Sequence, residues 1–346
     1  MLKKILKIAI TLGLLVGLYY AFWLIYGTVL DWKPETQIPI SVQGSATAQP
    51  DSTFEFMIWN IGFTGLGEET SFFFDDGEVV ILDEDLVYKN LSGVKDFIKA
   101  HDVDFWMLQE VDSTARRSHG IDHTAEFHKL LPSYSSAFAM NFNHGHIPVP
   151  LLDSYGEVRS GLQNLSRFPV TNSKRIQYGT EYEWPTRIYY LDRCFLSQNV
   201  SLQNGKELVI INTHCSAYDA LGTMVAQQID ELIAFAKAEY DRGNYVVIGG
   251  DWNQCPPNYS PIDTTGAYNE FVLSDAQLPA EWHWVADPTV PTNRKNDVPY
   301  TAGESYTSVI DHYIVSPNLI AEEVAVQDLQ FQFSDHQPVY MKVRLK

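Results

Sequence analysis

At 346 residues, 45% of them hydrophobic, the chain can bury a large core and has room for one or two domains. The formal charge is −19; Lys3, Lys4 and Lys7 are the only charges in the first thirty residues, so the remainder carries −22. An acidic surface repels polyanions, which argues against nucleic acid as the natural partner unless a local basic groove exists.

Ile8 to Leu30 is an uncharged run of 23 residues. At about 1.5 Å per residue it spans roughly 35 Å, enough to cross a bilayer with some tilt. The lysines before it, and Asp31 and Glu35 after it, predict a single-pass cell-membrane anchor. The N-terminus is then cytoplasmic and the C-terminal part outside. Tyr19, Tyr20, Trp23 and Tyr26 are amphipathic rings within the run, the last two nearest its outer end. A cleaved signal peptide is the rival reading, but its apolar region is shorter and Ala46-Thr47-Ala48 lies far beyond the run. A buried core helix is the third.

Residues 31–52, with Pro34, Pro39 and Pro50, read as a polar tether. Residues 53–346 show no second linker and read as one domain. Within it, strands are predicted at Thr53–Trp59, Asp104–Leu108, Gly161–Leu165, Arg187–Leu196, Leu208–Ile211, Val246–Ile248, Val309–Val315 and Val339–Val343. Helices are predicted at Val87–Ala100, Ala125–Leu131 and Leu221–Tyr240. Strands with helices at intervals imply α/β layers. Cys194, Cys215 and Cys255 show no metal-type spacing and read as buried thiols, with a Cys215–Cys255 disulfide as the alternative. His119, His123, His128, His144 and His146 are dense but share no face, and read as a solvated loop.

Several strands end in polar residues that a core would not keep. Asn60 follows Phe56-Met57-Ile58-Trp59, and Glu110 follows Met107-Leu108-Gln109. Asn212 and His214 follow Val209-Ile210-Ile211; Asp251 and Asn253 follow Val246-Val247-Ile248 and two glycines. Asp311 and His312 follow Val309-Ile310, and Asp335-His336 precedes Pro338. Taken singly, each is a turn former or a solvated strand end. Repetition on five or six separate strands is the signal, because residues at i and i+2 of a strand face one way.

The ordered set Trp59-Asn60, Leu108-Gln109-Glu110, Leu165-Ser166-Arg167, Asn212-Thr213-His214, Gly250-Asp251-Trp252-Asn253, Ile310-Asp311 and Ser334-Asp335-His336 resembles the endonuclease/exonuclease/phosphatase superfamily. Each motif is short, and the combination in order covers the chain from Thr53 onward. The stretches Ala139 to Asn143, Ile147 to Pro150 and Tyr155 to Gly161 are similar to a membrane-anchored bacterial branch of it. The resemblance implies a four-layer α/β/β/α sandwich of two packed, mostly antiparallel sheets flanked by helices. It also implies hydrolysis of phosphodiester or phosphomonoester bonds with Mg²⁺ or Mn²⁺.

Glu110 is the leading ligand candidate for such a hard cation, with Asn60 beside it and Asp335 as a third; the resemblance supports the first two. His336, oriented by Asp311, would act on the phosphate or the water. Asp251 would orient or deprotonate water, and Asn253 would donate to a phosphate oxygen. Which of Asp251 and His336 is the base stays open. His214 sits where deoxyribonuclease-like members carry a second histidine, and Glu157 is its expected carboxylate partner. Asn141 and Arg294 are candidates to touch substrate, and Arg167 to contact phosphate or position a loop. The expected partner is a small phosphate ester or a phospholipid headgroup, handled by a monomer. A nuclease of the same fold and a non-catalytic binding module are the alternatives.

Overall fold

The computed structural model describes residues 1–217, 222–257, 259 and 272–346. Helix α1 (Leu2–Val29) leads to β1 (Gln37–Pro39), β2 (Thr53–Asn60), α2 (Glu84–Ala100), β3 (Phe105–Ala115) and α3 (His123–Leu130). Then come β4 (Ser135–Ile147), β5 (Gly156–Ser166), β6 (Asn172–Gln177), β7 (Cys194–Ser201), β8 (Glu207–His214), α4 (Thr223–Asp241) and β9 (Tyr245–Asp251). The set closes with β10 (His283–Val285), β11 (Asn293–Arg294), β12 (Thr307–Ser308), β13 (Asp311–Val315), β14 (Leu319–Val326) and β15 (Val339–Leu345).

Alternation along the strands builds the layers. In β2, Phe54, Phe56 and Ile58 face one way and Met57 and Trp59 the other. The first set meets Met107, Ile210, Val247 and Met341 between two sheets. The second packs on Leu91, Val94 and Ile98 of α2 and Phe127 of α3. On the opposite side, Val209, Ile211, Val246 and Ile248 cover Val225, Ile229, Leu232 and Ala236 of α4. Each of these large side chains contributes roughly 2 kcal/mol by leaving water. The result is the α/β/β/α sandwich that the resemblance implied.

Of the two large sheets, one runs β14-β15-β2-β3-β5-β4 and the other β1-β6-β7-β8-β9-β13-β10, while β11 and β12 pair separately. Each is antiparallel except for one pair, β2–β3 in the first and β8–β9 in the second. Parallel neighbours need a crossover, which α2 and α4 supply. Two βαβ units thus face each other across the sandwich, and their carboxyl ends meet at one rim. Ligand sites of α/β sheets collect at such ends.

Three expectations change. Residues 31–52 are not a free tether: β1 pairs with β6, and Gln43 bridges to Ser136 of β4, so the segment straps both sheets. The strand expected over Arg187–Leu196 begins only at Cys194; Thr186–Tyr189 is a short 3-10 turn. The histidine-rich stretch is built into α3 and β4, with His123 and His144 buried. The predicted helix start at Leu221 lies outside the described residues. All three cysteines are buried free thiols.

His123 carries a pH consequence. Its Nδ1 accepts the Asp112 N–H at 3.3 Å, its Nε2 lies 3.2 Å from Thr64 Oγ1, and burial lowers its pKa to about 4. The unfolded histidine titrates near 6.5, so below that pH the unfolded chain binds a proton that the folded chain refuses. Stability is expected to fall as pH drops from about 6.5 to 4, by about 3 kcal/mol for this group. Urea unfolding in detergent should show that slope, and His123→Gln should flatten it.

Candidate active site

Asn60 ends β2. Its Oδ1 accepts the Gly62 N–H at 3.0 Å, and its Nδ2 donates to Asp251 Oδ2 at 3.0 Å and to Glu110 Oε1 at 3.4 Å. Glu110 sits where the β3–β5 register slips between Leu108 and Val111, and its φ of 53° is left-handed. A bulge re-aims one side chain out of the alternation, and holding a non-glycine residue at positive φ costs about 1 kcal/mol or more. Burial raises the Glu110 pKa, and Asp335 adds to this against Arg117, His336 and Arg193. Asp335 Oδ2 accepts from Asn296 Nδ2 at 2.6 Å, and the same nitrogen donates to Asp75 Oδ2 at 3.2 Å. Asp75 is pushed up to about 6, chiefly by burial.

Across the rim, Asp251 ends β9. Gly250 before it has φ 144°, and a Cβ there would lie 2.0 Å from the Thr213 carbonyl oxygen. Only glycine lets β9 lie that close to β8 and deliver Asp251 to the rim. Asp251 Oδ1 accepts the Asn253 N–H at 2.9 Å. His214 Nε2 lies 3.4 Å and His336 Nε2 3.6 Å from Asp251 Oδ2. Burial lifts the Asp251 pKa to about 6, partly offset by His336.

The two histidines are tuned apart. Burial alone would depress His336, but Asp311, Asp251 and Asp335 outweigh it and hold the imidazole well above its usual range. His336 Nδ1 lies 2.8 Å from Asp311 Oδ2, and its Nε2 lies 3.0 Å from Asn293 Nδ2. His214 goes the other way: burial, then Arg193, His336 and Arg117, keep it neutral. Asp251, Asp311 and His336 offer ligand atoms within 4.8 Å of one another. The short Asp311–His336 hydrogen bond ties two of these groups to each other.

These residues line a cleft of 840 Å³ walled by Phe63, Phe72, Phe74, Phe142, Tyr155 and Tyr189. Arg117 grips Asp112 through Nε and Nη2 at 3.1 and 2.8 Å, donates to Tyr155 Oη at 2.9 Å and stacks on Phe63. A family model described as the endonuclease/exonuclease/phosphatase family matches residues 57–336, nearly the whole span that builds this cleft. The chain belongs to the endonuclease/exonuclease/phosphatase family. No curated protein matches it.

Solved structures place the same fold in several members and neighbours of the family. An endonuclease/exonuclease/phosphatase from Beutenbergia cavernae DSM 12333 is similar at 20% identity and TM-score 0.56, over 85% of this chain and 72% of that one. D. rerio TDP2 complexed with single strand DNA product is similar at 15% and 0.54, over 85% and 100% of the two chains. ANGEL2, a 2',3'-cyclic phosphatase, is similar at 16% and 0.56, over 89% and 99%.

Of the residues expected at an endonuclease/exonuclease/phosphatase site, Glu110, Asp335, His214, Asp251, Asn253, His336, Asn141 and Arg294 line the cleft, with Asn60 and Asp311 bonded directly behind. Glu157 does not partner His214: it pairs with Arg159 on the surface, and Asp251 takes its place. The reason is strand alternation: in β5, Glu157 and Arg159 share the outward phase, while Val158 and Ser160 point inward. Arg167 is also away from the cleft, bound to Asp102 and Asp104 at the start of β3. Arg294 is at the wall, but its guanidinium donates to the carbonyls of Gly67, Thr70 and Lys295 and so fixes a loop. Asn253 Nδ2 donates to the Cys215 carbonyl at 3.0 Å, which leaves one N–H for other use. Asn141 is buried, and its Nδ2 finds no acceptor among the described residues. Asn212 is structural: it bonds Gln109, Asn164 and the Leu108 carbonyl, and so clamps the two sheets under the site.

Sequence reasoning missed Asp75, Asn293, Asn296, Arg117 and Arg193. Arg193 lines the cleft, is buried, and has Nε and Nη1 without an acceptor among the described residues. Its one signal was a cation two residues before Phe195 at a strand entrance.

Proposed function

We propose that the chain is a membrane-anchored hydrolase of phosphodiester or phosphomonoester bonds that works with Mg²⁺ or Mn²⁺. Its substrate is a phospholipid headgroup or another small phosphate ester. The observation that carries this reading is the cluster itself: Asp251 flanked by one cationic and one neutral histidine, beside Glu110 and Asp335 in the same cleft.

The acids fit a hard divalent ion. Glu110, Asp75 and Asp251 all have pKa values lifted chiefly by burial, with neighbouring carboxylates adding to it, so a bound cation would favour their ionised forms. Glu110 and Asp335 would hold the ion, with the remaining lone pair of Asn60 Oδ1 beside them. When bound, it polarises a phosphoryl oxygen and offsets charge in the transition state. Among the chain's own groups, Asp251, with its pKa near 6, is ionised at neutral pH and takes the proton of the attacking water. Cationic His336 and the Arg193 guanidinium, whose Nε and Nη1 find no acceptor among the described residues, attract the phosphate oxygens. Neutral His214 gives a hydrogen bond toward the departing oxygen. The anchor sets the N-terminus in the cytoplasm and the catalytic domain outside.

The test is a panel of phosphate esters with the whole 346-residue chain in detergent. Hydrolysis of at least one lipid or small-molecule ester, lost with chelator and restored by Mg²⁺ or Mn²⁺, is expected. Cleavage of DNA alone, or no metal dependence, would overturn the reading.

A further inference from the structure

Helix α1 is long and apolar enough to cross a membrane, and its C-terminal third does not stand clear of the domain. Tyr19 Oη donates to the Pro148 carbonyl at 3.4 Å. The Trp23 ring stacks on His146 at 4.2 Å, and the Trp23 carbonyl accepts the Tyr189 hydroxyl. Gly27 lies against Tyr189 so closely that a Cβ would come within 2.9 Å of its hydroxyl, and Thr28 Oγ1 accepts the Trp184 Nε1–H at 3.1 Å. Ile147, Val149 and Tyr189 are also walls of the catalytic cleft. The helix and the cleft share one rim.

Length then decides where that rim sits. From Ile8, after the last lysine, to Tyr19, where contact begins, the helix offers only about 17 Å of apolar length. A hydrocarbon core is about 30 Å thick. Even if the lysines reach back toward the headgroups and free another turn, the helix is still several ångströms short. The rest of the span must come from the Tyr19–Thr28 stretch, and the domain surface packed on that stretch goes with it.

That surface suits such a place. Leu152, four residues beyond Pro148, is 97% exposed, and Leu151 and Trp184 beside the contact are also exposed. The one acid of the 147–154 turn, Asp153, is neutralised by Arg116 at 2.8 Å. Phe74 is exposed too, and continues the same apolar cluster through Phe72 and Tyr155 into the cleft.

We infer that the cleft rim formed by residues 147–152, Trp184 and Tyr189 is a bilayer-docking surface, sunk in the outer headgroup and upper acyl region. The cleft opens onto the lipid layer, and a lipid phosphate ester enters sideways with its chains still in the membrane. The docking stands on the helix geometry alone; the lipid-ester part rests on the proposed hydrolase reading.

The test uses the full chain in phosphatidylcholine vesicles. A nitroxide is placed at Leu152→Cys, the native cysteines being buried, and at Tyr88→Cys on α2 as the aqueous reference. Docking predicts that the label at 152 collides more with oxygen than with a water-soluble nickel chelate, the reverse of the label at 88. Identical aqueous ratios at both sites would overturn it. In the same vesicles, the L151D/L152D double variant should cleave embedded lipid ester about tenfold more slowly or worse. It should cleave soluble bis(4-nitrophenyl) phosphate at the parent rate. Equal rates on lipid, or equal losses on both esters, would refute lateral entry. If the parent cleaves neither ester, the hydrolase reading fails while the depth result still decides the docking.

Discussion

Asp251→Asn is expected to slow ester hydrolysis by about three orders of magnitude with little change in unfolding midpoint. The substitution keeps the shape of the side chain and its acceptor for the Asn253 N–H, but removes the charge and the proton acceptor. It also removes one of the carboxylates that hold His336 cationic, so the His336 pKa should fall. Both effects act in one direction. Steady-state rates across pH, with imidazole resonances followed by NMR, would separate them. A variant with normal rate and an unchanged His336 titration would show that Asp251 is not at the reacting centre.

Glu110→Gln is the second large effect. The expected outcome is a rise of about a hundredfold in the metal concentration needed for half-maximal rate, with partial recovery at high Mg²⁺. Glutamine keeps the volume and the acceptor for Asn60 but not the charge. Glu110→Gly gives an opposing readout. It would relieve a left-handed φ of 53° and so raise stability by about 1 kcal/mol while abolishing activity. Metal titration and thermal unfolding of the two variants check this. Loss of stability in the glycine variant would mean that the bulge is not strained.

The strands and helices of the two βαβ units were legible, though not their pairing, because β2, β8 and β9 are apolar runs that end in Asn60, His214 and Asp251, and the apolar start of β3 stops at its bulge in Glu110. Burial on both faces makes such strands plain, and polar residues at their carboxyl ends make the rim plain. β4 was missed because Asn141, Asn143 and His144 interrupt its apolar pattern; Asn141 is needed in the cleft wall and His144 bonds the Tyr190 carbonyl. β14 was missed as an edge strand carrying exposed Glu322 and Glu323, which discourage pairing with another chain. Asp75 and Asn296 come from loops, where no periodicity marks a side chain as inward. Glu157 shows the opposite failure: a motif suggested a partnership with His214, but Glu157 lies in the outward phase of β5 and pairs there with Arg159.

The strap from Thr36 to Gln43 has a mechanical meaning. It hydrogen-bonds to β6 on one sheet and to Ser136 on the other, a short stretch after the helix ends at Val29. No slack remains there for a swivel. With the helix anchored as proposed, the domain would then be unable to tumble on a leash or lift away to sample the surrounding fluid. It would drift in the plane with a fixed attitude, meeting molecules at a rate set by their density per unit area.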